Sequence, residues 1–94
     1  MEMKQKAKKA ESLLKILANQ KRLMILCYLV DSQKSAGELT KLVKLSHSAL
    51  SQHLSKMKNL DLVEDAKEGQ EVFYSIKSYE VKAILSTLYL IYCR

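Results

Sequence analysis

Ser35-Ala36-Gly37-Glu38-Leu39-Thr40-Lys41-Leu42-Val43-Lys44-Leu45-Ser46-His47-Ser48-Ala49-Leu50-Ser51-Gln52-His53-Leu54 is the stretch on which the fold turns. Its apolar spacing predicts two short helices broken at Val43-Lys44-Leu45-Ser46. Ser35 and Glu38 fit a capping box that starts the first helix, and Ser46 caps the second. Leu39, Leu42 and Val43 form the apolar face of the first, with Lys41 and Lys44 outward. The second places Ala49, Leu50, Leu54 and Met57 on one side and Ser48, Ser51, Gln52 and Ser55 on another, with Lys56 and Lys58 following. Two helices joined by so short a turn make a helix-turn-helix. Short polar side chains let a helix approach base edges, and the Gln52 amide suits a two-point contact with adenine.

Upstream, residues 4–18 carry Ala7, Ala10, Leu14 and Leu17 at 3-4-3 spacing, with Leu13 and Ile16 beside them, which predicts an amphipathic first helix. Asn19 is placed to cap a second helix, whose run Leu23-Met24-Ile25-Leu26-Cys27-Tyr28-Leu29-Val30 is apolar all round and reads as the central core element.

Downstream of Leu60 the period falls to 2, in Leu62 to Ala66 and again in Glu71 to Ile76, with polar Lys67-Glu68-Gly69-Gln70 between. This is a β-hairpin with Gly69 in the turn, and Lys67 and Gln70 are expected near its tip, within reach of a phosphate or the minor groove. Ser78 caps a last helix with the stripe Val81, Ile84, Leu85, Leu88, Ile91 and Tyr92. Little follows that could cover the stripe, so a homodimer through the first and last helices is expected. The fold class is mainly α with a small β-hairpin, a winged helix-turn-helix in one domain spanning 1–94.

Sixteen Lys and Arg against ten Asp and Glu leave a net charge of +6, which favours a polyanionic partner. No run reaches the roughly 18 apolar residues of a membrane span, and no signal-peptide core follows the Lys-rich N-terminus, so a cytoplasmic protein with no membrane partner is expected. Two cysteines, Cys27 and Cys93, are too few for a disulfide scaffold. Without a Cys-x-x-Cys, a Gly-rich phosphate loop or a nucleophile triad, an enzyme is not expected, and no cofactor is implied. His47 and His53 are six residues apart and share no helical face, so they do not make a metal site.

The order of elements, together with residues 14–19, 22–26, 37–39, 45–46, 51–54 and 72–74, resembles the ArsR/SmtB family of winged-helix transcriptional regulators over nearly the whole chain. Gln20 stands where that family often has Pro, and Asp61 where it often has Gly. Neither departure threatens the fold, since Pro at a first helical position is a preference and Asp tolerates the left-handed region. The family's metal-sensing theme has no counterpart here, because the third helix lacks a Cys pair and the last helix lacks an Asp/His set. Residues 25–27 and 92–93 are similar to the dithiol group of the family, which responds to persulfides and oxidants.

The resemblance implies a repressor bound to double-stranded operator DNA, an inverted repeat, as a homodimer. Base contacts are expected from Ser48, Ser51 and Gln52, and phosphate contacts from Ser35, Lys41, His47, Lys56, Lys58 and Lys67, with Gln70 at the hairpin tip and His47 a possible base reader. Periodicity alone reads Cys27 as a small buried apolar residue. Cys93 stands beside Arg94, whose charge favours a thiolate. The resemblance, and not the spacing, implies that Cys27 and Cys93 form a redox switch, bridged by a disulfide or polysulfide when reactive sulfur species or oxidants are the inducer. A metal- or ligand-responsive regulator, or an anti-repressor competing for DNA, with structural cysteines, is the alternative. A docking module for protein partners is a further class, separable by the salt dependence of DNA binding.

Overall fold

A computed structural model of the chain describes residues 2–93. Five helices and three strands follow in the order α1 (Met3–Leu17), α2 (Gln20–Asp31), β1 (Lys34–Ser35), α3 (Ala36–Val43), α4 (His47–Asn59), β2 (Val63–Glu68), β3 (Glu71–Ile76) and α5 (Tyr79–Tyr92). The helix starts obey the capping chemistry of the sequence. Asn19 Oδ1 accepts from Arg22 N at 3.0 Å, and Ser46 and Ser78 hydroxyls accept from Ala49 N and Val81 N, each at 3.2 Å. Ser35 and Glu38 form the reciprocal box, with Ser35 N donating to Glu38 Oε1 at 3.0 Å and Glu38 N to Ser35 Oγ at 3.1 Å. The Ser35 N–H donated to it holds the Glu38 carboxyl below the usual carboxylate range.

The helix ends are equally specific. Lys44 closes α3 in the left-handed region at φ 55°, and Asp61 follows α4 at φ 60°. Around Asp61 the bonds Asp61 N to Lys58 O (3.0 Å) and Leu62 N to Met57 O (2.9 Å) make a Schellman ending. Its apolar contact comes from Leu62 and Met57, both in the core. A cation from another helix serves the end of α3. Lys21 Nζ of α2 donates to the Val43 carbonyl at 3.1 Å, satisfying one of the oxygens that a helix C-terminus leaves open.

The core is the meeting of Ile25, Leu26 and Leu29 from α2, Leu39 and Val43 from α3, Leu50, Leu54 and Met57 from α4, and Val81 and Leu85 from α5, with Leu17, Leu62 and Val63. The strands form an antiparallel sheet in the order β1-β3-β2, with Ser35 opposite Phe73 and Asp65 opposite Tyr74. The pairing runs to Glu68 opposite Glu71, leaving Gly69, at φ 64°, and Gln70 as a two-residue turn.

Three expectations are corrected. The hairpin gains a third strand, because the two residues before α3 pair with β3. Strand β2 runs on through Lys67 and Glu68, which were expected in the turn, so Lys67, opposite Val72, sits near the tip and Gly69 and Gln70 alone form it. On α1, Leu17 is buried and Leu13 and Ile16 pack on the core, whereas Ala7 and Ala10 are exposed and Leu14 is 55% exposed. The first two turns of α1 extend beyond the body, so the spacing was helical but its inward edge lies one residue round.

Candidate nucleic-acid interface and cysteine cavity

The outer face of α4 is built by default, since Leu50, Leu54 and Met57 are drawn into the core with exposures of 2% or less. That burial turns His47, Ser48, Ser51, Gln52, Ser55 and Lys56 to solvent along one continuous side. A small cavity of about 370 Å³ flanks the first turns, lined by Ala36, His47, Ser48, Leu50, Ser51, Leu54 and Tyr74. His53 is half-buried behind this face. Burial lowers its pKa from the ordinary histidine value, and the charges of Arg22 and Lys56 add to that, so the neutral ring is favoured.

The expected phosphate contacts fall into different situations. Lys41 and Lys56 are exposed and form no ion pair among the described residues. Lys58 is held by Asp65 of β2, with Nζ 2.9 Å from Oδ1. Ser35 is 4% exposed, and its oxygen is occupied by the α3 cap. Lys67 and Gln70 are exposed on a hairpin arm that also carries Glu64, Asp65, Glu68 and Glu71, a locally negative surroundings for a phosphate contact. Sequence reading missed Asp65, although a carboxylate seven residues beyond Lys58, across a Schellman ending, was its only signal.

A larger cavity of about 930 Å³ lies between α2 and the end of α5. Ala18, Asn19, Gln20, Leu23, Met24, Cys27, Tyr28, Tyr89, Tyr92 and Cys93 line it, so the two cysteines share one wall-to-wall space. Both are thiols, Cys27 half-buried on α2 and Cys93 exposed at the end of α5, where its N–H donates to Tyr89 O at 2.8 Å. Burial pushes the Cys27 thiol up, and the neighbouring Cys93 charge pushes it further the same way. The expectation about Arg94 lies outside the described residues. Among the described residues no three of His, Cys, Asp and Glu converge as metal ligands, and no helix is long and apolar enough to cross a membrane.

Residues 19–65, which include α2, α3 and α4, match the bacterial regulatory protein, arsR family. The chain belongs to that family. This arsR-family regulator is 48% identical over 93 residues to the transcriptional activator HlyU of Vibrio cholerae, covering 99% of this chain and 86% of HlyU. The structure of reduced HlyU from that organism superposes with a TM-score of 0.94 over 98% of this chain and 97% of the other. The regulator YgaV of Escherichia coli is 47% identical over 88 residues, 93% of this chain and 89% of YgaV. The transcriptional repressor BigR of Xylella fastidiosa matches at a TM-score of 0.88 and 31% identity, over 97% of this chain and 90% of BigR. The arsR-family chain is therefore a winged-helix, DNA-binding transcriptional regulator, and α4 is the second helix of its helix-turn-helix.

Proposed function

We propose that this regulator is a homodimeric repressor whose grip on operator DNA is governed by the oxidation of Cys27 and Cys93. The observation that carries the reading is the shared cavity, which brings together two thiols 66 positions apart in sequence (93 minus 27). Dimerisation is supported by the apolar surface of the first and last helices. Leu14, Tyr89, Leu90, Ile91 and Tyr92 are 55%, 44%, 60%, 62% and 79% exposed, a patch that a symmetry-related copy would bury.

Exposed Cys93 is the thiol that a polysulfide reaches first, while Cys27 is held protonated by burial. The Cys93 sulfur attacks a sulfane sulfur of the polysulfide, the S–S bond behind it breaks, the shortened polysulfide leaves, and Cys93 becomes a persulfide. Cys27 then attacks the Cys93 sulfur, and hydrosulfide leaves. In sum two thiols lose two electrons and two protons, and the sulfane sulfur departs as hydrogen sulfide. The bond ties α2 to α5, and a change in the dimer seam alters the separation of two recognition helices whose half-sites lie about 34 Å apart. On DNA, Ser48, Ser51 and Gln52 read bases. Lys41, Lys56 and His47 are the phosphate contacts that the geometry favours, ahead of Ser35, Lys58, Lys67 and Gln70.

The protein is titrated onto the DNA upstream of its own gene before and after polysulfide treatment, with mass spectrometry of both cysteines on the same samples. Release that coincides with a Cys27–Cys93 link, and its loss in Cys27→Ser and Cys93→Ser variants that still bind DNA, is the expected result. Variants that still release DNA under polysulfide would place the switch elsewhere. A second reading, that binding raises transcription by excluding another regulator, is favoured by the name of HlyU as an activator. Transcription in vitro with the chain as the sole regulator separates the two, since a direct repressor lowers output unaided.

A further inference from the structure

Met24 and Cys27 are three residues apart on α2 and therefore on one side of it, and with Cys93 they make three sulfur-bearing residues in the lining of one cavity. Nothing in the proposed redox chemistry uses Met24. We infer that Met24, Cys27 and Cys93 form a three-sulfur site for a soft monovalent cation, copper(I).

The donor set selects the ion. Two thiolates and a thioether are soft ligands, suited to copper(I), whereas carboxylate and imidazole ligands are needed to complete the sites of harder divalent ions. Zinc asks for four ligands, and among the described residues no third His, Cys, Asp or Glu joins the cysteines. Copper(I) is satisfied by two or three sulfurs. Beside the sulfur residues the lining is Leu23, Ala18 and three tyrosines with the amides of Asn19 and Gln20, and it offers no carboxylate or imidazole that a harder cation would prefer. Access is open, since Cys93 is exposed at the mouth and Cys27 half-buried within.

Binding replaces two thiol protons by one copper(I), so two protons are released per ion and no electron moves. Because both thiols must give up their protons to the metal, affinity climbs with pH. The site rests on the same two thiols as the proposed switch. It adds a ligand that the switch does not need, and Met24 separates the two ideas.

The test is an anaerobic titration of the reduced full-length protein with copper(I) alone, in competition with the chelator bicinchoninate. One copper(I) per chain is expected, with affinity falling at least tenfold in Cys27→Ser and in Cys93→Ser. Met24→Leu keeps the volume and apolar character of the side chain, so the fold is retained. It should weaken copper(I) about tenfold while polysulfide links Cys27 to Cys93 as in the wild type. Failure of the wild type to hold copper(I) against the chelator, or equal affinity in wild type and Met24→Leu, overturns the three-sulfur site. If copper(I) binds as expected and polysulfide never links the cysteines, the switch fails and this site stands.

Discussion

Lys58 Nζ lies 2.9 Å from Asp65 Oδ1 and 3.0 Å from Oδ2, tying the last turn of α4 to β2, the first strand of the wing. The Asp65 carboxylate accordingly raises the Lys58 pKa, through the hydrogen bond first and the charge second. Lys58 is thus spent on aiming the wing, and a phosphate must compete with Asp65 for it. Asp65→Asn removes the competitor. The slope of log affinity against log salt on duplex DNA should then steepen by about one unit, the increment of one added phosphate contact. An unchanged slope would show that Lys58 does not reach the DNA.

Gln52 stands in the middle of the exposed face of α4. Gln52→Ala should weaken operator binding by about 1 to 3 kcal/mol and leave binding to unrelated duplex unchanged. Gel-shift titrations on both DNAs decide this, and equal losses would assign Gln52 to the backbone.

The two glycines should respond to alanine with opposite signs. Gly37 is helical, and an added Cβ would meet Ser35 Oγ at 3.8 Å, an ordinary contact, so Gly37→Ala gains about 0.5 to 1 kcal/mol. Gly69 has open space around it but a φ of 64°, so Gly69→Ala loses about 1 kcal/mol through the backbone alone. Urea midpoints at constant m-value measure both. Ser46→Ala, which removes the α4 cap, should cost about 1 kcal/mol on the same scale.

His53 gives a pH dependence whose sign follows from its lowered pKa. As pH falls, the unfolded chain protonates near the ordinary value of about 6.5, before the folded chain does. Stability is therefore complete above that value and is lost as pH falls through it, until the folded ring also takes its proton. Glu38 and Glu80 are lowered as well, but their contributions are lost in the carboxylate range, well below this window. Between pH 7.5 and 5.5 the melting temperature of wild type should drop further than that of His53→Gln. Parallel curves would remove His53 from the account.

What could be read from sequence was whatever local chemistry decides. Asn19, Ser35, Ser46 and Ser78 cap their helices as expected because each cap spans four residues. Gln20 does begin α2, and Asp61 does adopt the left-handed turn. Strand β1 was illegible because two residues carry no period, and its pairing is set by β3, some 40 positions away, with Ser35 opposite Phe73. Lys67 and Glu68 read as turn because an exposed arm of hairpin needs no apolar alternation. The role of Lys21 was illegible, since nothing near it in sequence announces the Val43 carbonyl. The shared cavity was invisible for the same reason. It arises from how α2 meets α5, and spacing within either helix says nothing of that.

The bond from Lys21 to Val43 gives α2 a double attachment. Six residues further along the same helix, about 9 Å at 1.5 Å per residue, Cys27 faces the cavity. One helix therefore carries the Cys27 thiol in its middle and holds the elbow of the helix-turn-helix at its start. Under the proposed switch, a tilt imposed at the cysteines would reach the residue immediately before the turn without crossing a loop. Lys21 adds a polar hook to the apolar packing of Ile25, Leu26 and Leu29 against α3 and α4, so α2 and the helix-turn-helix are joined twice over.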